Sequence, residues 1–143
     1  MRRLPKFTNN ELSSIQLSVG EVYNALHGLR TNKAPGPDGI PNRLLKEAAP
    51  VIYASLCELF NVSLETGQIP TEWKQSNISP VHKKGDKTDP FNYRPIALLP
   101  TVAKVLERLV YNRLYAYLTD NSLLNPEQSG FKIGMGLFCN YFV

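Results

Sequence analysis

Cysteine is scarce in this sequence, with two among 143 residues. Cys57 and Cys139 stand far apart and outside any C-x-x-C spacing, which argues against a zinc site and against a disulfide framework. Such sparse usage is typical of a protein from a reducing compartment. We expect Cys57 to be an inert, buried thiol.

Long apolar runs are lacking as well. No stretch approaches the roughly 18 apolar residues that a membrane-spanning helix needs. The basic start MRRLPKFTNNELSS is not followed by the apolar segment of a secretory signal. We therefore expect a chain that is not secreted, that has no membrane partner, and that resides inside the cell, in the nucleus or the cytoplasm.

Acidic residues are outnumbered, and the formal net charge is +4. Between residues 74 and 113, eight of the sixteen Lys and Arg residues stand against three acidic residues. This segment carries a net charge of +5, and the remainder of the chain carries −1. An anionic partner is therefore expected to bind the middle of the chain.

The hydrophobic pattern predicts an α+β fold that is mostly helical, with a small antiparallel sheet. A polar tail over residues 1–17 precedes a first helix, for which Ser18 and Glu21 have capping-box spacing. Leu106, Leu109 and Leu114 belong to the apolar stripe along one side of the last helix, and Leu106 and Leu109 are expected in the core. The predicted elements are helices over 18–30, 41–49, 50–67 and 101–118, and strands over 77–83 and 93–99.

The stretch NKAPGPDGIP, residues 32–41, packs three prolines and two glycines into ten positions. Because each proline fixes its own φ and restricts the residue before it, this loop has a defined shape. Pro35-Gly36 fits the centre of a type II turn, and Asp38-Gly39 fits a second tight turn with positive φ at the glycine. Shape alone favours a loop that simply joins two helices.

Lys83, Lys84 and Arg94 flank the segment between the two predicted strands. A hairpin would bring Lys83 and Arg94 near each other, and an arginine fork beside a lysine point charge suits a phosphate or a triphosphate. The alternative interpretation of the KKGDK run is a solvated turn. His82, alone beside it, gives no sign of acid–base chemistry.

Four blocks follow one another at characteristic separations: NKAPGPDGIPNRLLKEA, IPTEWKQSNISPVHKKGD, NYRPIALLPTVAKVLERLVYNRL and NPEQSGFK. Together they resemble the front part of the reverse transcriptase domain of non-LTR (LINE-type) retrotransposons, over residues 18–134. The resemblance implies the fingers and the start of the palm of a polymerase. The partners implied are an RNA template, a DNA primer and a deoxynucleoside triphosphate (dNTP).

The resemblance also implies roles for particular residues. Lys83 and Arg94 would reach the triphosphate of the incoming dNTP. The GPDGI loop would belong to the base of the fingers, where Asp38 serves the turn rather than a metal ion. The pocket for template and nucleotide would include Gln128, Gly130, Phe131 and Lys132, the last at a position where arginine is usual.

Polymerases of this family hold two Mg²⁺ ions with aspartates from a palm strand and from a later Asp-Asp hairpin. This sequence contains no Asp-Asp pair. Its four aspartates occupy turn-like settings; they are Asp38, Asp86, Asp89 and Asp120. We therefore expect no catalytic residue, metal ligand or cofactor in this chain, and a need for Mg²⁺ only in a complete polymerase.

The similarity fades after GFKIG, and residues 135–143 form a divergent apolar end that is expected to favour self-association. The interpretation is a truncated reverse transcriptase fragment that binds dNTP weakly or not at all by itself. One alternative is a non-enzymatic nucleic-acid-binding or protein-interaction module, in which Lys84 and Lys87 bind backbone phosphates. Another is an element remnant without a selected function.

Overall fold

The computed structural model describes residue 12 and residues 14–124. Within these residues it contains three α-helices, two 3₁₀ helices and one two-stranded antiparallel sheet, which confirms the predicted α+β class with helices dominant. The elements in chain order are α1 (Val19–His27), α2 (Asn42–Thr66), a 3₁₀ helix (Thr71–Lys74), β1 (Asn77–His82), a second 3₁₀ helix (Pro90–Asn92), β2 (Tyr93–Leu98) and α3 (Thr101–Asp120).

The predicted capping box begins α1. The Glu21 backbone N–H donates to Ser18 Oγ at 3.3 Å, and the Ser18 backbone N–H donates to Glu21 Oε2 at 2.9 Å. These two bonds satisfy donors that the start of a helix otherwise leaves unpaired. Arg113 of α3 reaches the same carboxylate at 2.8 Å, so this cap also joins α1 to α3.

The Glu21 carboxylate gives the fold a pH dependence. Its pKa is lowered, first by the hydrogen bond from the Ser18 backbone and then by the Ser18 hydroxyl; burial opposes the shift, and Arg113 adds to the lowering. Since the folded pKa lies below the ordinary value of about 4.3, the stabilisation is fully present above that value. It is lost as the pH falls through the lower folded pKa.

We expect Glu21→Gln to lower the free energy of unfolding by about 0.5 kcal/mol at pH 7, because a half-exposed ion pair is screened by solvent. The difference from the wild type should shrink as the pH falls from 5 to 3. Urea unfolding at a series of pH values measures both curves. A difference that stays constant down to pH 3 would show that the charge of Glu21 contributes nothing.

The two Pro-led helices predicted over 41–49 and 50–67 are one continuous helix, α2, with Pro50 inside it. Pro50 has no N–H to donate to the Lys46 carbonyl, and its ring crowds that carbonyl, so a proline at this position destabilises the helix locally. The ring of Pro50 is exposed, whereas Ala49 before it and Cys57 after it are buried on the side that packs against α1. Packing of both halves on the same partner therefore overrides the local preference of proline.

The core lies between α1, α2 and the first half of α3. Leu106 and Leu109 are buried, as predicted, but Leu114 on the same predicted stripe is 41% exposed. The reason is geometric, since the nine residues of α1 span about 13 Å and the twenty residues of α3 about 30 Å. In the described part of the chain, α1 is too short to cover the end of α3.

The packed part of the chain begins before residue 18, where the polar tail is predicted to end. Leu17 is 3% exposed, and Asn61 of α2 accepts from its N–H at 2.8 Å and donates to its carbonyl at 2.9 Å. The Cys57 thiol lies 3.3 Å from the same carbonyl, and burial raises the pKa of this thiol. The buried thiol predicted for Cys57 is confirmed, and Leu17, the last residue of the predicted polar tail, packs on α2.

The predicted hairpin is present, with β1 and β2 paired so that Pro80 lies opposite Pro95. The Lys83 N–H donates to the Asn92 carbonyl at 2.7 Å just beyond the strands. Because hydrogen-bonded and non-hydrogen-bonded pairs alternate in an antiparallel ladder, the Pro80–Pro95 pair falls at a non-hydrogen-bonded position. The missing N–H groups therefore point outward, and both prolines fit without breaking the ladder.

The 32–41 loop holds one of its two predicted turns. The Gly39 N–H donates to the Gly36 carbonyl at 3.1 Å, Gly39 has a φ of 68°, and Asp38 accepts from the Ile40 N–H at 3.2 Å. Gly36 does not have the positive φ that a type II turn at Pro35-Gly36 requires, so that prediction is wrong. Gly36 instead packs against the backbone between β2 and α3, where a Cβ would meet the Pro100 nitrogen at 2.6 Å.

Candidate phosphate-binding face of the hairpin

Lys83 and Arg94 lie on the same face of the hairpin. Arg94 is directly opposite Val81, and Lys83 extends β1 by two residues from Val81. Alternate residues of a strand share a face, and directly opposite residues share it too. Lys83 and Arg94 are thus diagonal neighbours, a relation that separates positions by about 7–8 Å.

Both cations are exposed, and neither forms an ion pair or a hydrogen bond from its side chain with any described residue. The nearest carboxylates in the sequence are engaged in turns: Asp86 accepts from the Thr88 N–H and Asp89 from the Phe91 N–H, each at 2.9 Å. The bond from the Thr88 N–H, with help from its hydroxyl, lowers the pKa of Asp86. The two cations are therefore available to an anion.

Side chains hold the loop between the two strands in one shape. Gly85 adopts a φ of 88°, which only glycine takes readily, and Asn92 Nδ2 donates to the Asp86 carbonyl at 2.9 Å. The Tyr93 hydroxyl donates to the Lys87 carbonyl at 2.9 Å. This bonding fixes the separation between the end of β1 and the start of β2, where the two cations sit.

Lys84 and Lys87 are exposed in the loop itself, and they extend the cationic surface beyond the strands. His82 has a structural position: its Nε2 lies 3.2 Å from the Gly85 carbonyl, and its ring packs edge-on against Tyr93 at 5.3 Å between centroids. His82 therefore braces the loop, in keeping with the absence of acid–base partners around it in the sequence.

A cavity of about 190 Å³ lies at the base of the hairpin, between the 32–41 loop, β2 and the start of α3. Ile96 and Leu98 of β2 line it, and so do the side chains of Lys33 and Lys104. The sequence analysis assigned neither lysine to a site, because they belong to distant segments: Lys33 lies in the 32–41 loop and Lys104 lies within the basic segment 74–113. Only the packing of the loop against α3 brings them to one cavity.

The described residues do not form a metal site. Among them, no three His, Cys, Asp or Glu side chains come together as metal ligands would. Asp38, Asp86 and Asp89 instead accept hydrogen bonds from nearby backbone N–H groups. The role predicted for Asp38 in turn geometry is confirmed, and no chemical step is assigned to a metal ion at these residues.

Several predicted features lie outside the described residues. They include the apolar end over 135–143 and, with it, the predicted self-association. The predicted template and nucleotide pocket also lies outside the described residues; its residues are Gln128, Gly130, Phe131 and Lys132.

No helix in the described part of the chain has the length and apolar character needed to cross a bilayer.

Three comparisons place the chain among known proteins. It is 36% identical over 126 residues to an RNA-directed DNA polymerase from mobile element jockey of Drosophila melanogaster, covering 87% of this chain and 14% of the relative. It is 37% identical over 122 residues to a probable RNA-directed DNA polymerase from transposon BS of the same species, covering 82% and 13%. It is 32% identical over 120 residues to a retrovirus-related Pol polyprotein from type-1 retrotransposable element R1 of Bradysia coprophila, covering 82% and 12%.

The chain thus spans about one seventh of the length of these curated relatives. No protein-family model matches it.

Proposed function

Because the chain belongs to the reverse transcriptase family of non-LTR (LINE-type) retrotransposons, we propose that its hairpin binds the triphosphate of an incoming dNTP. In this proposal the described residues form the fingers and the approach to the palm of an RNA-directed DNA polymerase. The partners of the complete enzyme are then an RNA template and a DNA primer. The 32–41 loop sets the hairpin against the helices at the base of the fingers.

One observation carries the proposal: Lys83 and Arg94 share a hairpin face and have no partner among the described residues. A triphosphate presents several anionic oxygens in a row, which a planar guanidinium binds two at a time and an ammonium binds as a point charge. Two cations at diagonal positions can therefore bind neighbouring phosphoryl groups of one nucleotide. Lys84 and Lys87, in the adjoining loop, are placed to contact nucleic-acid backbone.

Arg94 distinguishes this proposal from a diffuse attraction to polyanions. We expect Arg94→Ala to weaken dATP binding by about tenfold or more at low ionic strength, because a charge-assisted hydrogen bond contributes about 1.5 to 3 kcal/mol. Equilibrium dialysis with labelled dATP measures the affinity of the wild type and the variant. Because the wild type is expected to bind dATP weakly, the dialysis experiment must extend to millimolar concentrations of dATP.

Arg43→Ala is the matched control, since Arg43 is exposed on α2 and pairs only with Glu47 at 2.8 Å among the described residues. It removes the same charge and should leave the affinity for dATP close to that of the wild type. Equal affinities for Arg94→Ala, Arg43→Ala and the wild type would contradict a triphosphate site at Arg94. They would favour a nucleic-acid-binding module without nucleotide specificity.

Nucleotide transfer is not assigned to any residue of this chain. The reaction requires metal-bound carboxylates at the primer terminus, and the sequence contains no Asp-Asp pair. We therefore expect the isolated 143-residue polypeptide to extend no primer with either Mg²⁺ or Mn²⁺. A gel assay with an RNA template and a labelled DNA primer measures this, and incorporation that co-purifies with the chain would contradict it.

A further inference from the structure

The cavity at the base of the hairpin has an unusual lining. Lys33 and Lys104 contribute two cations, and among the described residues that line it there is no carboxylate. The other contributions are mostly apolar, from Ile96 and Leu98 of β2 and from Val105 of α3. An apolar wall excludes water and strengthens the attraction between a cation and any anion that enters.

Lys104 is placed where a positive charge is costly. Its side chain is half-buried in the first turn of α3, and the helix dipole disfavours a cation at that end. Burial lowers the pKa of its ammonium group, and the nearby Lys33 adds to this effect. Glu107, one turn along α3, and Asp38 in the 32–41 loop act in the opposite direction. A bound anion in the cavity would offset these costs.

The size of the cavity restricts the anion. A volume of about 190 Å³ is below the roughly 300–1,000 Å³ of pockets that hold whole ligands, and it is well above the roughly 30 Å³ of one water molecule. A phosphate group fits this space, whereas a complete nucleotide does not. The rest of the ligand must therefore lie outside, along the surface.

The hairpin face provides that surface. Arg94, Ile96 and Leu98 alternate along β2, so the face that carries Lys83 and Arg94 leads down to the cavity. Four residues of a strand span about 13 Å. Within a duplex, each strand has one phosphate per roughly 3.4 Å of helical axis, so about four nucleotides of a strand in that conformation cover this distance.

We propose that Lys33 and Lys104 bind a backbone phosphate of a nucleic-acid strand that runs along the hairpin face toward the 32–41 loop. The proposal rests on the proposed function, because it takes the hairpin face to be the side of the chain that meets nucleic acid. It adds a second anion site, which takes a phosphodiester and not the triphosphate of the nucleotide. The proline-rich loop then has a direct role, since it carries Lys33 to the cavity.

The test measures binding of a fluorescently labelled 20-nucleotide single-stranded RNA to the 143-residue chain by anisotropy, from 25 to 200 mM KCl. For single strands, each phosphate contact contributes about 0.7 to the slope of log affinity against log salt. Because the two lysines bind one phosphate, we expect the double variant Lys33→Ala/Lys104→Ala to lose about 0.7 from this slope. Its affinity should fall several-fold at 25 mM KCl.

The double variant Arg43→Ala/Lys74→Ala removes the same two charges from exposed positions that do not line the cavity. It should keep the slope of the wild type within about 0.3. An equal loss of slope in both double variants, or no loss in either, would overturn the proposal. So would the absence of RNA binding by the wild type at 25 mM KCl.

Two further measurements separate binding from folding and from the triphosphate site. Side-chain NMR of Lys104 should show that the pKa of its ammonium group rises when the RNA is added, and an unchanged pKa would contradict the proposal. In a separate binding assay, Lys104→Arg should retain RNA binding, because arginine keeps the positive charge. The variant Lys33→Ala/Lys104→Ala should bind dATP as the wild type does. One combination of results would overturn this inference alone and leave the proposed function standing. In it, Arg94→Ala loses dATP binding, but Lys33→Ala/Lys104→Ala binds RNA as the wild type does.

Discussion

Replacing Gly36 by alanine is expected to lower the free energy of unfolding by about 3 kcal/mol or more. A Cβ at this position would lie 2.6 Å from the Pro100 nitrogen and 2.7 Å from both the carbonyl carbon and the oxygen of Leu99. These are backbone atoms at the junction of β2 and α3, so no side chain can rotate away to relieve the clash. The loop would have to move off the helix, and the cavity lined by Lys33 would open with it.

Urea unfolding followed by circular dichroism measures the effect of Gly36→Ala. Gly20→Ala is the matched control, because Gly20 lies in α1 and a Cβ there meets nothing within 4 Å. That substitution should stabilise the chain by about 0.5 to 1 kcal/mol, since alanine is the better helix former. If both variants unfolded at the urea concentration of the wild type, the contact between the loop and the Leu99–Pro100 backbone would not exist in solution.

Replacing Phe60 by alanine is expected to cost about 3–5 kcal/mol, the range for removing a large aromatic side chain from a core. Phe60 of α2 is fully buried, and its ring packs edge-on against Trp73 with 5.6 Å between centroids. Trp73 belongs to the 3₁₀ helix that precedes β1, so this contact also secures the approach to the hairpin. Loss of Phe60 should therefore destabilise the helical core and release Trp73.

Tryptophan fluorescence reports on this contact directly, because Trp73 is the single tryptophan in the sequence. Its emission should shift to longer wavelength in Phe60→Ala under native conditions. Leu59→Ala serves as the control, since the neighbouring Leu59 is 42% exposed and should cost well under half as much. Comparable losses of stability for the two variants would mean that α2 presents a different face to the core.

Much of the fold follows from local patterns in the sequence. The capping box of Ser18 and Glu21 and the apolar stripe around Leu106 fix helices by chemistry within one or two turns. The KKGDK run between the two predicted strands likewise fits a turn, and its Gly85 has a positive φ, which glycine adopts readily. These features depend on near neighbours in the chain, so the sequence alone is sufficient to predict them.

Where the sequence analysis was wrong, a distant contact had overridden a local preference. Pro50 predicts a break, but packing of both halves of α2 on α1 keeps one helix. Leu114 continues an apolar stripe, but it is 41% exposed because α1 does not extend along that half of α3. Leu17 stands in a polar segment, but its side chain packs in the core, and Asn61 of α2 binds its backbone. Periodicity reports which face is apolar and cannot report how far the partner extends.

The cations of the candidate sites likewise fall into two groups, those that the sequence predicts to be neighbours and those that only the tertiary structure brings together. The basic segment around Lys83 and Arg94 is visible as a cluster of charge, and the predicted strands bring the two residues to adjacent positions. The sequence does not predict that Lys33 and Lys104 lie close together, because their proximity depends on how the 32–41 loop packs against α3. A sequence pattern therefore predicts the cations that share a hairpin, and only the tertiary structure identifies those that share a cavity.

Side-chain NMR of the ¹⁵N-labelled chain during a titration with dATP tests the triphosphate site most directly. We predict that the Arg94 Nε–H and the Lys83 ammonium resonances shift together, with one half-saturation concentration, while the Arg43 Nε–H stays in place. Arg94 and Lys83 would then be shown to bind the same molecule. Shifts spread evenly over the arginines and lysines of the chain, or an Arg94 resonance that does not move, would contradict the account.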